Sequence, residues 1–453
     1  MFISINPATG ETGATFAALD DDGIEAALAR AEATFRSWRV SDIGQRTALL
    51  TAIADQFEAN KRHLAETATK EMGKTLASAI AEVEKCIAGF RHYAAKGPSY
   101  LEPVETKTAS GRAVGHWLPL GPILAVMPWN FPYWQVVRWL APTILAGNVG
   151  LLKHASLTQG CAALIQQMVT AAGAPDGLFQ NLAIKSDKVS RIIADKRVAA
   201  VTLTGSEGAG AKVAEAAGRA LKKVVLELGG SDPFIVMPSA DLDKAVATAV
   251  KARVQNAGQS CICAKRMIVH ADIYDVFLDK FTAAMLAVKI GDPMADGIEM
   301  GPLSSVEQRD TVLEQVGRAV ADGAKLAGGT KIDCDGAWMG AGVLTHVDPD
   351  ADFAQEEIFG PVAMVFRAAD IDAAIALAND VPFGLGSSVW TSDQAEIDRF
   401  VRDIESGMTA VNQLLASTPE APFGGVKLSG HGRELGPWGL HEFMNLKAVM
   451  FAS

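Results

Sequence analysis

Ile123-Leu124-Ala125-Val126-Met127, followed at once by Pro128-Trp129-Asn130-Phe131-Pro132, is the stretch on which the fold turns. Five apolar residues closed by a proline read as a strand running into a stiffened loop. The same signature recurs at 149–153, 178–184, 199–204 and 224–228, with helical segments between, for example 159–172 and 209–221. Strands alternating with helices at intervals of roughly 20 to 30 residues indicate βαβ units and a parallel, doubly wound sheet. Such a sheet takes its ligands at the carboxyl ends of its strands.

Working outward, residues 22–96 have an Ala-rich helical pattern, and 104–119 read as a hairpin turning at Ser110-Gly111. On the other side a second alternation begins after Gly229-Gly230, a glycine pair suited to a hinge. It runs through a strand at 233–237, a helix at 242–255, a cysteine-bearing loop, a strand at 265–270 and a helix at 274–288, and continues to about residue 412. The tail 445–453 reads as a strand that needs a partner, expected on another subunit.

The 453 residues exceed what one core supports. A composition 49% hydrophobic and 21% charged describes an ordinary globular protein, and the net charge of −11 argues against a nucleic-acid or anionic-membrane surface. Five cysteines, an odd number without paired spacing, form neither a disulfide framework nor a zinc site. The start Met1-Phe2-Ile3-Ser4-Ile5-Asn6-Pro7 has no signal-peptide pattern, and the most apolar region is broken by Arg138, Pro142, Gly147 and Asn148. The expectation is a cytoplasmic protein with no metal and no membrane span.

Several strand ends carry groups with chemistry. In Pro128-Trp129-Asn130-Phe131-Pro132 the carboxamide of Asn130 is placed to donate to a developing oxyanion; a turn former is the other reading. Lys153 closes a strand where it could meet ribose or phosphate, or simply solvent. Thr204-Gly205-Ser206-Glu207-Gly208-Ala209-Gly210 sits between strand and helix, where backbone N–H groups could meet a pyrophosphate. It lacks the G-x-G-x-x-G spacing and reads equally as a tight turn. Glu227 ends an apolar strand, and desolvation would raise its pKa toward a general base's range. Gly258-Gln259-Ser260-Cys261-Ile262-Cys263 adds a thiol after a glycine turn. Cysteine is the side chain already nucleophilic near neutral pH, although buried cysteines also serve as packing. That four such groups fall at successive strand ends of one sheet favours a shared site.

Together these segments resemble the aldehyde dehydrogenase superfamily, along with Glu356-Glu357-Ile358-Phe359-Gly360-Pro361 and Pro422-Phe423-Gly424-Gly425-Val426-Lys427-Leu428-Ser429-Gly430. The resemblance implies an α/β protein with a Rossmann-type cofactor domain, a second α/β catalytic domain and a small oligomerisation hairpin. Its expected divisions are a cofactor domain over 1–102 and 120–229, oligomerisation strands over 103–119 and 441–453, a catalytic domain over 230–428 and a return segment over 429–440. It assigns Cys261 as the nucleophile, Asn130 with the Cys261 N–H as the oxyanion hole, and Glu227 as the base that activates water. Trp129, Lys153, Ser156, Gly205, Ser206, Glu357 and Phe359 fall at cofactor positions.

Within the superfamily, Lys153-His154-Ala155, Leu228-Gly229-Gly230-Ser231-Asp232-Pro233-Phe234 and Cys261-x-Cys263 resemble the bacterial succinate-semialdehyde dehydrogenases. That subgroup implies a carboxylate-binding arginine at Arg138, with Arg253 and Thr418 as further substrate-binding candidates. Serine rather than glutamate at Ser156 leaves room for a 2′-phosphate, so the expected cofactor is NADP, with NAD as alternative. The expected partner is a small aldehyde, in a homodimer or homotetramer. A broad-specificity aliphatic or aromatic aldehyde dehydrogenase and a catalytically silent binding protein stand as alternatives. Cys263 could form a strained disulfide with Cys261 or act as passive packing.

Overall fold

The computed structural model describes residues 1–452, so Ser453 of the expected tail strand lies outside the described residues. A first sheet has the order Gly430–His431, Lys223–Glu227, Ala200–Thr204, Pro122–Met127, Val149–His154, Phe179–Asn181. All neighbours are parallel except Gly430–His431, which runs antiparallel to Lys223–Glu227. Chain order leaves Pro122–Met127 in one direction and then resumes on its other side at Ala200–Thr204. The crevice between the carboxyl ends of these two strands is therefore a topological switch point, where doubly wound sheets bind ligands. The expected strand at 178–184 is shorter than the apolar run that announced it, ending at Asn181.

The second sheet has seven strands, ordered Lys325–Gly328, Gly342–Thr345, Val362–Ala368, Arg266–His270, Pro233–Val236, Gly386–Trp390 and Met408–Val411. Only the Lys325–Gly328 edge is antiparallel. The chain passes between the sheets through Leu228-Gly229-Gly230-Ser231-Asp232. Each sheet is buried in its own core, one centred on Leu124, Leu151 and Val201, the other on Ile235, Ile268 and Met364.

A third, antiparallel sheet joins the hairpin Val104–Thr108 and Gly111–Pro119 to the tail strand Met444–Ala452. Here the structure corrects an expectation. The tail pairs along its whole length with the chain's own hairpin, from Met444 opposite Pro119 to Ala452 opposite Gly111. It is the edge strand of this sheet, paired on one side within its own chain.

Candidate active site

The loop after Pro122–Met127 is fixed from below. The helix Trp134–Ala146 begins right after it, and its first amides need acceptors. The Glu82 carboxylate, from the helix Leu76–Tyr100, accepts from Tyr133 N at 2.8 Å and Trp134 N at 2.9 Å, and is ion-paired with Lys74. From the side, His154 Nδ1 accepts from Ala155 N at 2.8 Å, so Nε2 carries the proton and donates to the Pro132 carbonyl at 2.9 Å. Burial pushes His154 down to about 4, keeping the ring neutral for this task. Asn130 is thereby held at the switch point. Its Nδ2 donates to the Gln259 carbonyl at 3.0 Å, and its own carbonyl accepts from Asn256 Nδ2 at 2.8 Å. One N–H of the carboxamide remains to be donated.

Cys261 arrives from the second sheet on a strained turn. Asn256, Ala257 and Gly258 have φ of 55°, 53° and 75°, three successive residues in the left-handed region. For Asn256 and Ala257 this costs about 1–2 kcal/mol each. Gly258 has no substitute, because a Cβ there would lie 2.3 Å from the Gly360 carbonyl group. Beneath the turn the fully buried Lys265 ammonium donates to the carbonyls of Ser260 at 2.8 Å and Cys261 at 2.6 Å, and lies 2.9 Å from Glu357 Oε1. Burial pushes the Cys261 thiol up to about 12, against the opposing pull of Arg138 and Lys265. The resting thiol is protonated.

These loops enclose a cavity of about 260 Å³. Its walls include Trp129, Asn130, Gly205, Ser206, Cys261, Glu357 and Phe359, all expected site residues, together with Gln135 and Gln308. Trp129 and Phe359 meet edge to face, ring centroids 5.7 Å apart, and Gln308 Nε2 holds the Phe359 carbonyl at 2.9 Å. Ser206 is the N-cap of the helix Glu207–Arg219 with its hydroxyl free of any capping bond, so the helix's first amides face this wall unpaired. Gly229 closes the floor where a Cβ would come within 2.6 Å of both Glu207 and Glu357 carboxylates. A flat-walled cleft at a switch point, with open helix amides on one side, fits a dinucleotide.

Other expected residues lie off this wall. Lys153 is buried at the end of Val149–His154, with no hydrogen-bonding partner, and burial lowers its pKa; Ser156 is exposed one turn on. Glu227 is buried behind the cavity at Leu228-Gly229, and neither carboxylate oxygen has a hydrogen-bond donor. Burial first, and Glu434 second, push its pKa well above the carboxylate range, while Arg138 and Arg433 oppose this.

The three expected substrate ligands lie in different surroundings. Arg138 is buried and already paired: its guanidinium forms an ion pair with Glu434, donates to Thr204 Oγ1 at 3.0 Å and lies 4.6 Å from the Phe423 ring centroid. Arg253 is fully buried and donates to the carbonyls of Ala264, Gly258, Ile358 and Gly360. It clamps the cysteine turn to the Ile358–Gly360 segment. Thr418 is exposed, and the buried hydroxyl belongs to its neighbour Ser417, which accepts from Lys85 Nζ at 2.7 Å and Trp134 Nε1 at 3.0 Å. Ser417, Lys85, Lys265 and Glu82 went unread in the sequence. None sits in a glycine or proline motif, and only the unusual cation at the start of the apolar strand after Cys263 offered a signal for Lys265. All five cysteines are free, and buried Cys263 donates weakly to the Gln255 carbonyl.

Fold and cavity together fit a pyridine-nucleotide oxidoreductase with a cysteine on its cavity wall, and the chain belongs to the aldehyde dehydrogenase family: the family's sequence profile matches residues 1–449. It is 52% identical over 453 residues to succinate-semialdehyde dehydrogenase (NADP+) 1 of Mycobacterium bovis, covering 99% of each chain. It is likewise 52% identical to succinate-semialdehyde dehydrogenase (NADP+) of Mycobacterium avium, covering 99% of this chain and 96% of that one. Among solved structures, succinic semialdehyde dehydrogenase from Streptococcus pyogenes in complex with NADP+ superposes with a TM-score of 0.98 at 39% identity, covering all of both chains. Succinate-semialdehyde dehydrogenase from Burkholderia pseudomallei gives 0.97 at 34%, covering 100% of this chain and 94% of that one. Among the described residues no helix is long and apolar enough to cross a membrane, and no cluster of His, Cys, Asp or Glu could hold a metal ion.

Proposed function

We propose that this protein oxidises succinic semialdehyde to succinate with NADP as acceptor and NAD as the weaker alternative. The observation that carries the reading is the shared cavity: Cys261 and Asn130 face the same space as Gly205, Ser206, Glu357 and Phe359. The names of the relatives at 52% identity, and the NADP+ complex of a structural neighbour, support the substrate and the cofactor. Trp129, Phe359, Glu357, Gly205 and Ser206 would hold the nicotinamide and pyrophosphate, with Lys153 and Ser156 toward the adenosine. When bound there, the cofactor supplies the hydride acceptor.

The protein's own groups do the rest. The Cys261 thiol gives up its proton to solvent water, its sulfur adds to the aldehyde carbonyl carbon, and the C=O electron pair moves to the oxygen, which becomes the oxyanion of a thiohemiacetal. The remaining Asn130 N–H and the Cys261 backbone N–H stabilise that oxygen; one such donor is worth about 3 kcal/mol. After oxidation the acyl group is a thioester on Cys261. Glu227 takes a proton from water, the water oxygen attacks the thioester carbon, and the C–S bond breaks to release the acid while the proton held by Glu227 passes to the sulfur and restores the thiol. Burial of Glu227 beside Glu434 supports this role, since it lifts the carboxylate toward a base's working range.

One observation favours a broader aldehyde range: Arg138 already has Glu434 as counter-ion. Specificity constants for succinic semialdehyde and butanal, each with NADP and NAD, separate the two readings. A clear preference for the acid with NADP supports the first, and equal use of both aldehydes selects the second. Exposed Leu446, Met450 and Phe451 on the three-stranded sheet support a homodimer or homotetramer, measurable by light scattering. The division into a cofactor half before Gly229, with 429–440 returning to it, and a catalytic half after it is likewise inferred.

A further inference from the structure

Near the site, Lys85 is a cation with no counter-ion. It stands in the middle of the helix Leu76–Tyr100, half-buried, with its ammonium 4.5 Å from the centroid of the Trp134 ring. No carboxylate lies within salt-bridge distance of it; Glu82, three residues earlier, is committed to Lys74 and to the Tyr133 and Trp134 amides. Burying an ammonium without an anion is costly, so such a group calls for a partner.

Its one hydrogen bond sharpens the point. Ser417 Oγ accepts from Lys85 Nζ and from Trp134 Nε1, which uses both of its lone pairs. The Ser417 proton is then left to donate, and no protein acceptor receives it. A hydroxyl and an ammonium, adjacent and both still able to donate, are complementary to an acceptor-only, negatively charged group. Neither residue lines the cavity that holds Cys261, but the Cys261 thiol and Arg138 are among the charged groups acting on Lys85, which puts the pair within electrostatic reach of the thiol.

We propose that Lys85, with the Ser417 hydroxyl, binds the distal carboxylate of the aldehyde substrate and is the residue that makes the enzyme select acid aldehydes. This rests on the reading of the protein as a semialdehyde dehydrogenase. It moves the recognition charge from Arg138, which Glu434 neutralises, to a cation that only the substrate neutralises. The charged groups acting on Lys85 are Glu82 and Cys86 from its own helix, Arg138 from Trp134–Ala146, and Cys261 from the cysteine turn. Burial first, and Arg138 second, bring Lys85 down to about 8. The ammonium is charged below that pH and lost above it, so affinity for the acid falls as pH rises through 8.

The test compares succinic semialdehyde with butanal in the wild type, Lys85→Met and Lys85→Arg, with melting temperature as a control for folding. Loss of one charge-assisted contact raises the KM for succinic semialdehyde about 10- to 100-fold in Lys85→Met. The kcat and all butanal parameters stay close to wild type, and Lys85→Arg recovers the acid preference and keeps it above pH 8. In the wild type, KM for the acid rises above pH 8 while that for butanal does not, a readout that needs no variant to fold. A wild type that prefers the acid, with the preference intact in Lys85→Met or a KM flat across pH 8, overturns the role of Lys85 alone. A wild type indifferent to the carboxylate overturns the substrate reading with it.

Discussion

The Lys265 ammonium donates to the Cys261 carbonyl at 2.6 Å while lying 2.9 Å from Glu357 Oε1. One buried cation thus joins the backbone of Cys261 to a carboxylate on the cavity wall. Lys265→Met would leave Glu357 without a counter-charge and remove one of the two groups that lower the Cys261 pKa. Iodoacetamide should then alkylate the cofactor-free variant more slowly than wild type at pH 8. In the wild type, whose thiol sits at about 12, the rate should climb about tenfold per pH unit from pH 7 to 9, because only the thiolate reacts. A plateau within that range would show a thiol poised near neutrality without cofactor.

Arg253→Met separates a clamp from a substrate ligand. Four carbonyls lose their donor, each worth about 1–3 kcal/mol when buried and unsatisfied, so the melting temperature should drop by many degrees. Turnover should fall for butanal and succinic semialdehyde alike. A rise in KM confined to the acid would return Arg253 to the substrate pocket.

Glu227→Gln keeps the shape of the proposed base and removes its ability to take a proton. Acylation should proceed and hydrolysis stall, giving a burst of reduced cofactor close to one per site and then turnover slower by about 10²–10⁴. In wild type the deacylation rate should fall as pH drops through a pKa above the usual carboxylate range, since protonated Glu227 cannot accept a proton. Stopped-flow absorbance at 340 nm reads both effects, and an absent burst would place Glu227 before the thioester.

Ser156→Glu tests the cofactor reading. Ser156 is exposed and makes no side-chain hydrogen bond, so the change should leave the melting temperature within a degree or two. A carboxylate there would repel a 2′-phosphate next to Lys153 and should raise the KM for NADP at least tenfold with little change for NAD. Equal effects on both cofactors would remove Ser156 from the adenosine site.

The cavity wall was readable in advance because its residues sit in motifs with a local cause. A proline-bounded loop, a strand-to-helix turn and a glycine before a cysteine are imposed by backbone geometry, and geometry leaves marks in sequence. The ion pair of Arg138 was not legible because a buried cation's partner is a neighbour in space, and Glu434 lies 296 positions away. Lys85 and Ser417 escaped for the same reason. Each is an unremarkable residue in its own segment, and their meeting depends on how the helix Leu76–Tyr100 packs against a loop from the far end of the chain. The tail strand was found as a strand, but its alternation could not say whose hairpin it would join.

The short strand Gly430–His431 places Gly430 opposite Glu227, and the preceding Ser429 carbonyl accepts from Leu228 N while its hydroxyl donates to Gly229 O. The segment that would hydrolyse the thioester is thus locked by residues made some two hundred positions later. During synthesis the Cys261 loop, the cavity walls and the Glu227 strand all emerge before the latch that fixes them. A nascent chain stopped short of Ser429 would carry its reactive groups without the means to use them in sequence. The first sheet is therefore complete only when its last strand arrives.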